Sequence, residues 1–193
     1  AYQHLKIHRD LNLLLIDAET GFGNGHLLPL GVLREPKNQW KRANAIIITK
    51  SNLASSKNIT KILKNNLKVS CPIFNFNYEV NGLSRLDGKF RLETKELKNK
   101  NILITSGIAQ PKVFSLVLEK CGAKIVSKIE FPDHYCFQKK DMKKIKNEQE
   151  KYNPDLIITT EKDAVKLKAY TEILEDIWIL EMKIEIEKSW KDF

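Results

Sequence analysis

Residues 101–131 read NILITSGIAQPKVFSLVLEKCGAKIVSKIEF, and this stretch decides the fold. Residues 102–105 form a short apolar, β-branched run, the mark of a buried strand. Gly107 ends it, and Pro111 stands where a first helical turn would start, a position that needs no backbone N–H. Residues 113–120 continue as a helix. Cys121-Gly122 closes that helix with glycine at C′, where the backbone turns left-handed. Residues 124–131 are the next strand. Strand, helix and strand at this spacing predict a right-handed crossover between parallel neighbours.

The pattern extends in both directions. Downstream, residues 139–152 predict a helix and 155–159 (DLIIT) another buried strand. Thr160-Glu161-Lys162-Asp163 reads as a helix start, with Thr at the N-cap and an acid three residues on. Residues 177–180 are expected as the last strand. Upstream, residues 11–17 (LNLLLID) and 45–49 (AIIIT) read as strands buried on both faces, and 55–66 as a helix with Ile59, Ile62 and Leu63 on one face. Between these blocks the character changes. Residues 73–80 alternate apolar and polar over most of their length, a half-exposed strand. Asn81-Gly82 and Asp87-Gly88 are two turn signals, so a small antiparallel ribbon is expected. The fold class is α/β: the end of one α/β domain over 1–70, a β-ribbon connection over 71–100, and a second, smaller α/β domain with a mostly parallel sheet over 101–193.

Of the 193 residues, 42% are hydrophobic and 30% charged, which suits a folded globular chain and not a disordered one. No stretch approaches the roughly 20 apolar residues that a membrane-spanning helix needs. The formal net charge of +9 favours anionic partners without choosing among them. A basic nucleic-acid-binding α/β module is therefore a second reading, although no recognised nucleic-acid motif is present. The three cysteines, Cys71, Cys121 and Cys136, form no metal-binding pattern and suit a reducing compartment. Ala1 stands first in place of Met, and no signal-peptide core follows it. The start is read as lying inside a longer chain.

In a parallel sheet ligands bind beyond the carboxyl ends of the strands. The segments to inspect are therefore 21–35, 106–110, 132–135 and 159–163. Gly21-Phe22-Gly23-Asn24-Gly25 could bring backbone N–H groups to an anion or simply turn the chain. It is not a Walker A loop, since no Gly-Lys-Ser/Thr follows, nor is it a dinucleotide fingerprint. Arg34 in Arg34-Glu35-Pro36 could hold a phosphate with two parallel hydrogen bonds, or form a surface ion pair. His4 and His8, four apart, could share a helix face but lack a third ligand for a metal. His134, beside Asp133 and just after a strand, is either a proton shuttle or a turn residue.

In order along the chain stand Tyr2-Gln3-His4, Arg9-Asp10-Leu11, Phe22-Gly23-Asn24-Gly25, Leu27-Leu28-Pro29 and Leu33-Arg34-Glu35-Pro36. Phe131-Pro132-Asp133-His134 and Thr159-Thr160-Glu161-Lys162-Asp163-Ala164 follow. Together these motifs resemble the tetraacyldisaccharide 4′-kinases, in their C-terminal portion. Ala1 and Tyr2 depart from the family's Gly-Phe, and Tyr135 from a common second His. The resemblance implies an enzyme of lipid A biosynthesis that moves the ATP γ-phosphoryl group to the 4′-hydroxyl of the tetraacyldisaccharide 1-phosphate precursor. It implies that residues 1–70 end a P-loop-type nucleotide-binding domain. ATP and Mg2+ would be held mainly by a Walker-type loop and acids outside this stretch, with no metal ligand inside it. Catalytic roles are implied for His134 and His4. His134 would pair with an aspartate of the N-terminal domain and close onto the reacting site. Gln3, Asn24, Arg34, Glu35 and Asp133 would line the nucleotide and lipid cleft. The implied partners are the lipid precursor, ATP and a membrane surface, not nucleic acid. The implied location is the cytoplasmic face of the inner membrane, peripheral or anchored by an N-terminal helix. This stretch alone is expected to be inactive.

Overall fold

The computed structural model describes residues 2–53, 56–174 and 176–193. By contacts the chain separates into two compact units, one of Ala1–Glu79 with Ile184–Phe193 and one of Val80–Lys183. Two strands, β3 (Ile73–Arg85) and β8 (Ile177–Ile186), pass from one unit to the other.

In the first unit β1 (Leu13–Asp17) pairs in parallel with β2 (Ala45–Thr49), and β2 pairs in parallel with the start of β3. Ala45, Ile46, Ile47 and Ile48 are all buried, as a central strand requires. The expectation that 11–17 is buried on both faces is corrected at β1. Leu14 and Ile16 face a core that includes Trp40, Ile59 and Leu63, but Leu15, on the opposite face, is 61% exposed. Among the described residues β1 has a covering layer on one side only. The helix expected over 55–66 is α1 (Ser56–Lys61), continued by a wider turn over Ile62–Asn66; Ser55 lies outside the described residues.

The ribbon is present, but one of its turns is not where the sequence places it. β3 runs straight through Asn81-Gly82 for 13 residues. Gly82 has φ +127°, and a Cβ there would lie 2.8 Å from the Leu92 carbonyl oxygen. Glycine therefore admits a close neighbouring strand instead of reversing the chain. The reversal occurs at Asp87-Gly88, where the Gly88 N–H donates to the Arg85 carbonyl and φ is +75°. Beyond it β4 (Arg91–Leu92) returns antiparallel, Leu83 opposite Leu92 and Ser84 opposite Arg91.

The second unit is the crossover fold that residues 101–131 announce. β5 (Asn101–Ser106), α2 (Pro111–Lys120) and β6 (Lys124–Glu130) are followed by α3 (Lys139–Tyr152), β7 (Leu156–Thr160), α4 (Glu161–Leu167) and β8. Pro111 is in the first helical turn and Gly122 has φ +85° after α2. The strand order is β8-β7-β5-β6, parallel throughout. From β5 the chain first moves one way to β6, then back past β5 to β7. The switch point of this sheet is thus between β5 and β7, with Gly107, residues 132–135 and the start of α4 beyond the carboxyl ends. Leu103, Met142, Ile145, Ile157 and Leu167 form the middle of its core. β8 is longer than the 177–180 expected, because residues 181–186 alternate acid or lysine with Met182, Ile184 and Ile186. That pattern pairs on a strand without needing burial on both faces.

Candidate functional site

In the first unit a cavity of about 160 Å³ lies beside the segment after β1. Its walls include Tyr2, Gln3, Phe22, Arg34, Glu35 and Trp40. Tyr2 is fixed at both ends. Its hydroxyl donates to the Gln39 carbonyl at 2.9 Å, and the Arg42 guanidinium lies over its ring, 4.8 Å from the centroid. Arg42 also pairs with Glu35. That leaves Arg34 with an exposed guanidinium that forms no ion pair among the described residues. A free planar fork at a cavity rim is suited to a phosphate or carboxylate from a ligand.

The glycine-rich segment builds the neighbouring wall. Gly21, Gly23 and Gly25 all have positive φ, and their N–H groups donate to Asp17, Thr20 and Phe22 carbonyls in successive turns. Their donors are thus spent on the chain itself. Asn24 staples the loop: its amide donates to the Leu30 carbonyl at 2.7 Å, and its oxygen accepts the His26 N–H at 3.1 Å. Just before this loop, the Asp17 carboxylate at the end of β1 meets Lys50 Nζ at 2.6 Å. Partial burial pushes the Asp17 carboxyl up, but Lys50 and the backbone N–H groups of Glu19 and Thr20 outweigh it and hold it below its ordinary range.

In the second unit three segments meet beyond the sheet's carboxyl edge. Thr160 caps α4, accepting the Asp163 N–H at 3.1 Å. The acid three residues on does not reach back to the cap backbone, as a capping box would have it. Asp163 Oδ2 instead accepts the Gly107 N–H and the Thr160 hydroxyl, each at 2.8 Å. Gly107 sits in a tight place, because a Cβ would stand 3.3 Å from both Asp163 Oδ1 and the Pro132 carbonyl. Lys162 Nζ donates to Asp133 Oδ1 at 2.6 Å, and Lys166 Nζ donates to the Tyr135 carbonyl at 2.8 Å. The Lys162 ammonium, with His134 adding to it, holds the Asp133 carboxyl below its ordinary range. His134 stands between these anchors with φ +62°, its side chain 79% exposed. Its backbone N–H donates to Asp133 Oδ1 at 3.0 Å, and its Nε2 lies 3.8 Å from Asp133 Oδ2, an ion-pair distance beyond hydrogen bonding.

A family model for tetraacyldisaccharide-1-P 4′-kinase matches residues 1–193. The chain belongs to that family. Tetraacyldisaccharide 4′-kinases of Bdellovibrio bacteriovorus and Syntrophus aciditrophicus are both 32% identical to it, over 95% and 98% of this chain. The chain spans about half the length of these curated relatives, 54% of each. A crystal structure of LpxK from Aquifex aeolicus in complex with ATP superposes with a TM-score of 0.67 at 28% identity, covering 98% of this chain and 52% of that one.

Set against this 4′-kinase membership, the residues singled out from sequence divide clearly. Gln3, Arg34 and Glu35 share one cavity. Asn24 holds the adjoining loop and borders a separate depression of about 440 Å³. His4 is exposed and its carbonyl accepts from Arg9. Residues 2–10 form turns, so His4 and His8 share no helix face. Asp133 and His134 lie together in the other unit. Sequence reasoning gave no role to Lys162, Lys166 or Lys50, the last being the ionic partner of Asp17. For the α4 lysines a signal existed, since Lys162 and Lys166 are four apart and so share a helix face.

Proposed function

We propose that the complete protein transfers the γ-phosphoryl group of ATP to the 4′-hydroxyl of the tetraacyldisaccharide 1-phosphate precursor of lipid A. This chain contributes Arg34 and His134 to that reaction. The observation that carries the reading is the unpaired Arg34 guanidinium at the rim of a cavity also walled by Gln3 and Glu35, in a chain of this family. Support comes from the names of the relatives and from the ATP in the Aquifex aeolicus complex.

Phosphoryl transfer asks the protein for positioning and for neutralisation of developing charge. Arg34 would hold a phosphate oxygen pair through its planar fork. Gln3 and Glu35 would shape the cleft around it, with His4 at its edge. His134 would accept the proton that leaves the 4′-hydroxyl as the new O–P bond forms. Mg2+ when bound would neutralise phosphate charge. Among the described residues no group of three or more His, Cys, Asp or Glu is placed to hold a metal ion. We assign the ATP phosphates and Mg2+ mainly to residues outside this chain, as the family resemblance implies.

We also place the protein at the cytoplasmic face of the inner membrane. An acylated acceptor and a net charge of +9 both suit an anionic lipid surface. Among the described residues no helix is long and apolar enough to cross a membrane.

The test is His134→Ala in the complete protein. We expect kcat to fall by roughly 10²–10⁴-fold, the range for a positioned acid or base. Unfolding should stay within about 0.5 kcal/mol, since the side chain is exposed. Normal turnover with a lowered melting point would make His134 a turn residue only.

A further inference from the structure

His134 sits in a backbone conformation that few non-glycine residues hold without support. Support is visible on both sides of it, and two of the contacts come from one helix. Lys162 grips the side chain of Asp133, the residue before, and Lys166 grips the carbonyl of Tyr135, the residue after. Four residues apart on α4, the two ammonium groups project from the same face. The helix itself is fixed: Thr160 caps it, and the fully buried Asp163 ties its first turn to Gly107 after β5. A rigid element thus clamps a two-sided hold on one exposed imidazole.

We propose that Lys162 and Lys166 are positioning residues for His134, and that Lys162 also sets its electrostatic surroundings. Asp133 Oδ1 is taken by Lys162, while Oδ2 faces His134 Nε2. With Lys162 in place, much of the carboxylate charge is balanced; without it, an uncompensated carboxylate would stand 3.8 Å from the ring. Asp133 faces the ring and Lys162 pairs with Asp133; on the far side Lys166 holds the Tyr135 carbonyl and lies 4.0 Å from Asp163 Oδ1, and Asp141 of α3 accepts from the Tyr135 hydroxyl at 3.4 Å.

The inference rests on the reading of His134 as proton acceptor for its effect on rate, but not for its effect on Asp133. The experiment therefore has two arms, both on the complete protein. In the first, Lys162→Met and Lys162→Arg are assayed for phosphoryl transfer across pH. We expect Lys162→Met to lower kcat about 10- to 100-fold, as a displaced reacting group would. The KM for ATP should stay within about twofold, as for loss of an interaction that acts on turnover and not on binding. Lys162→Arg should recover most of the loss. In the second arm, carbon-13 spectra follow the Asp133 carboxyl, whose titration should rise toward the ordinary carboxylate range in Lys162→Met and return in Lys162→Arg. Should Lys162→Met fail to fold, Lys166→Met tests the same clamp, and it should lower kcat without moving the Asp133 titration. An unchanged kcat, with His134→Ala inactive, overturns the proposal. If His134→Ala retains full turnover, the reading of His134 fails instead, and an unmoved Asp133 titration in Lys162→Met then overturns the Lys162 assignment alone.

Discussion

At the scale of single residues, neighbouring charges in the first unit have different tasks. Glu35 is spoken for by Arg42, which also covers the Tyr2 ring, whereas Arg34 has no ionic partner among the described residues. The alternative reading of Arg34 as a surface ion pair is therefore not what the structure shows. We expect Arg34→Lys in the complete protein to keep its fold and lose most of its activity, because lysine keeps the charge but not the two-pronged geometry. Melting should change by no more than about 0.5 kcal/mol, as for other exposed sites. Steady-state kinetics beside a thermal melt checks this, and an unchanged kcat/KM would make Arg34 a bystander. The sequence already pointed to Arg34, Asp133 and His134, because loops after strands are where such residues collect. It gave no role to Lys162 or Lys166, because their partners are a side chain and a carbonyl some 30 residues away. Separation along the chain hides such contacts from any local pattern.

At the scale of elements, strands covered on both faces are the plainest to read. β2, β5 and β7 are buried on both sides and are found where their apolar runs lie, as is α3 over Lys139–Tyr152. β1, β3 and β8 are half-exposed, and there the reading slips: one bare face for β1, a false turn in β3, a short end for β8. Asn81-Gly82 has the composition of a turn, yet Gly82 serves only to let Leu92 approach. Asp87-Gly88 has the composition and the anchor. Arg85 donates to the Asp87 carboxylate through Nε and Nη2, and the Lys89 N–H donates to it as well. These bonds lower the Asp87 carboxyl from 3.8 to about 2. Because the folded value lies below the unfolded one, the turn's contribution is complete above pH 3.8 and is lost as pH falls through about 2. We expect carbon-13 titration to place the Asp87 midpoint near about 2 and Arg85→Gln to return it toward 3.8. A midpoint that ignores Arg85→Gln would refute this assignment.

At the scale of the whole molecule, the chain does not finish where its last strand leads the eye. Ile184–Phe193 belong with the first unit. Glu185 and Glu187 accept from Asn77 and Asn75 of β3, and Trp190 meets Phe74 and Phe76 edge-on at 5.1 and 5.4 Å. Phe193 closes the group against Phe74. Trp190 is half-buried, so we expect Trp190→Ala to destabilise the first unit by about 1–3 kcal/mol, less than for a fully buried tryptophan. The loss should appear in hydrogen exchange at β2 and the start of β3, with β5 and β7 unaffected. Equal loss in both units would mean that these rings serve the whole chain.

The return of the last ten residues also sets a timetable for synthesis. A ribosome that has finished Glu79 must still make all of Val80–Lys183 before it reaches the residues that complete the first unit. At about 5–20 residues per second, that delay is on the order of ten seconds. During it, Phe74 and Phe76 are without Trp190 and Phe193, while from β4 onward the second unit lacks only the end of β8 once Lys183 is made. Phe74 and Phe76 are thus made well before the rings that pack on them, and the newborn chain offers this bare aromatic strand to chaperones, or to other nascent chains, for that interval.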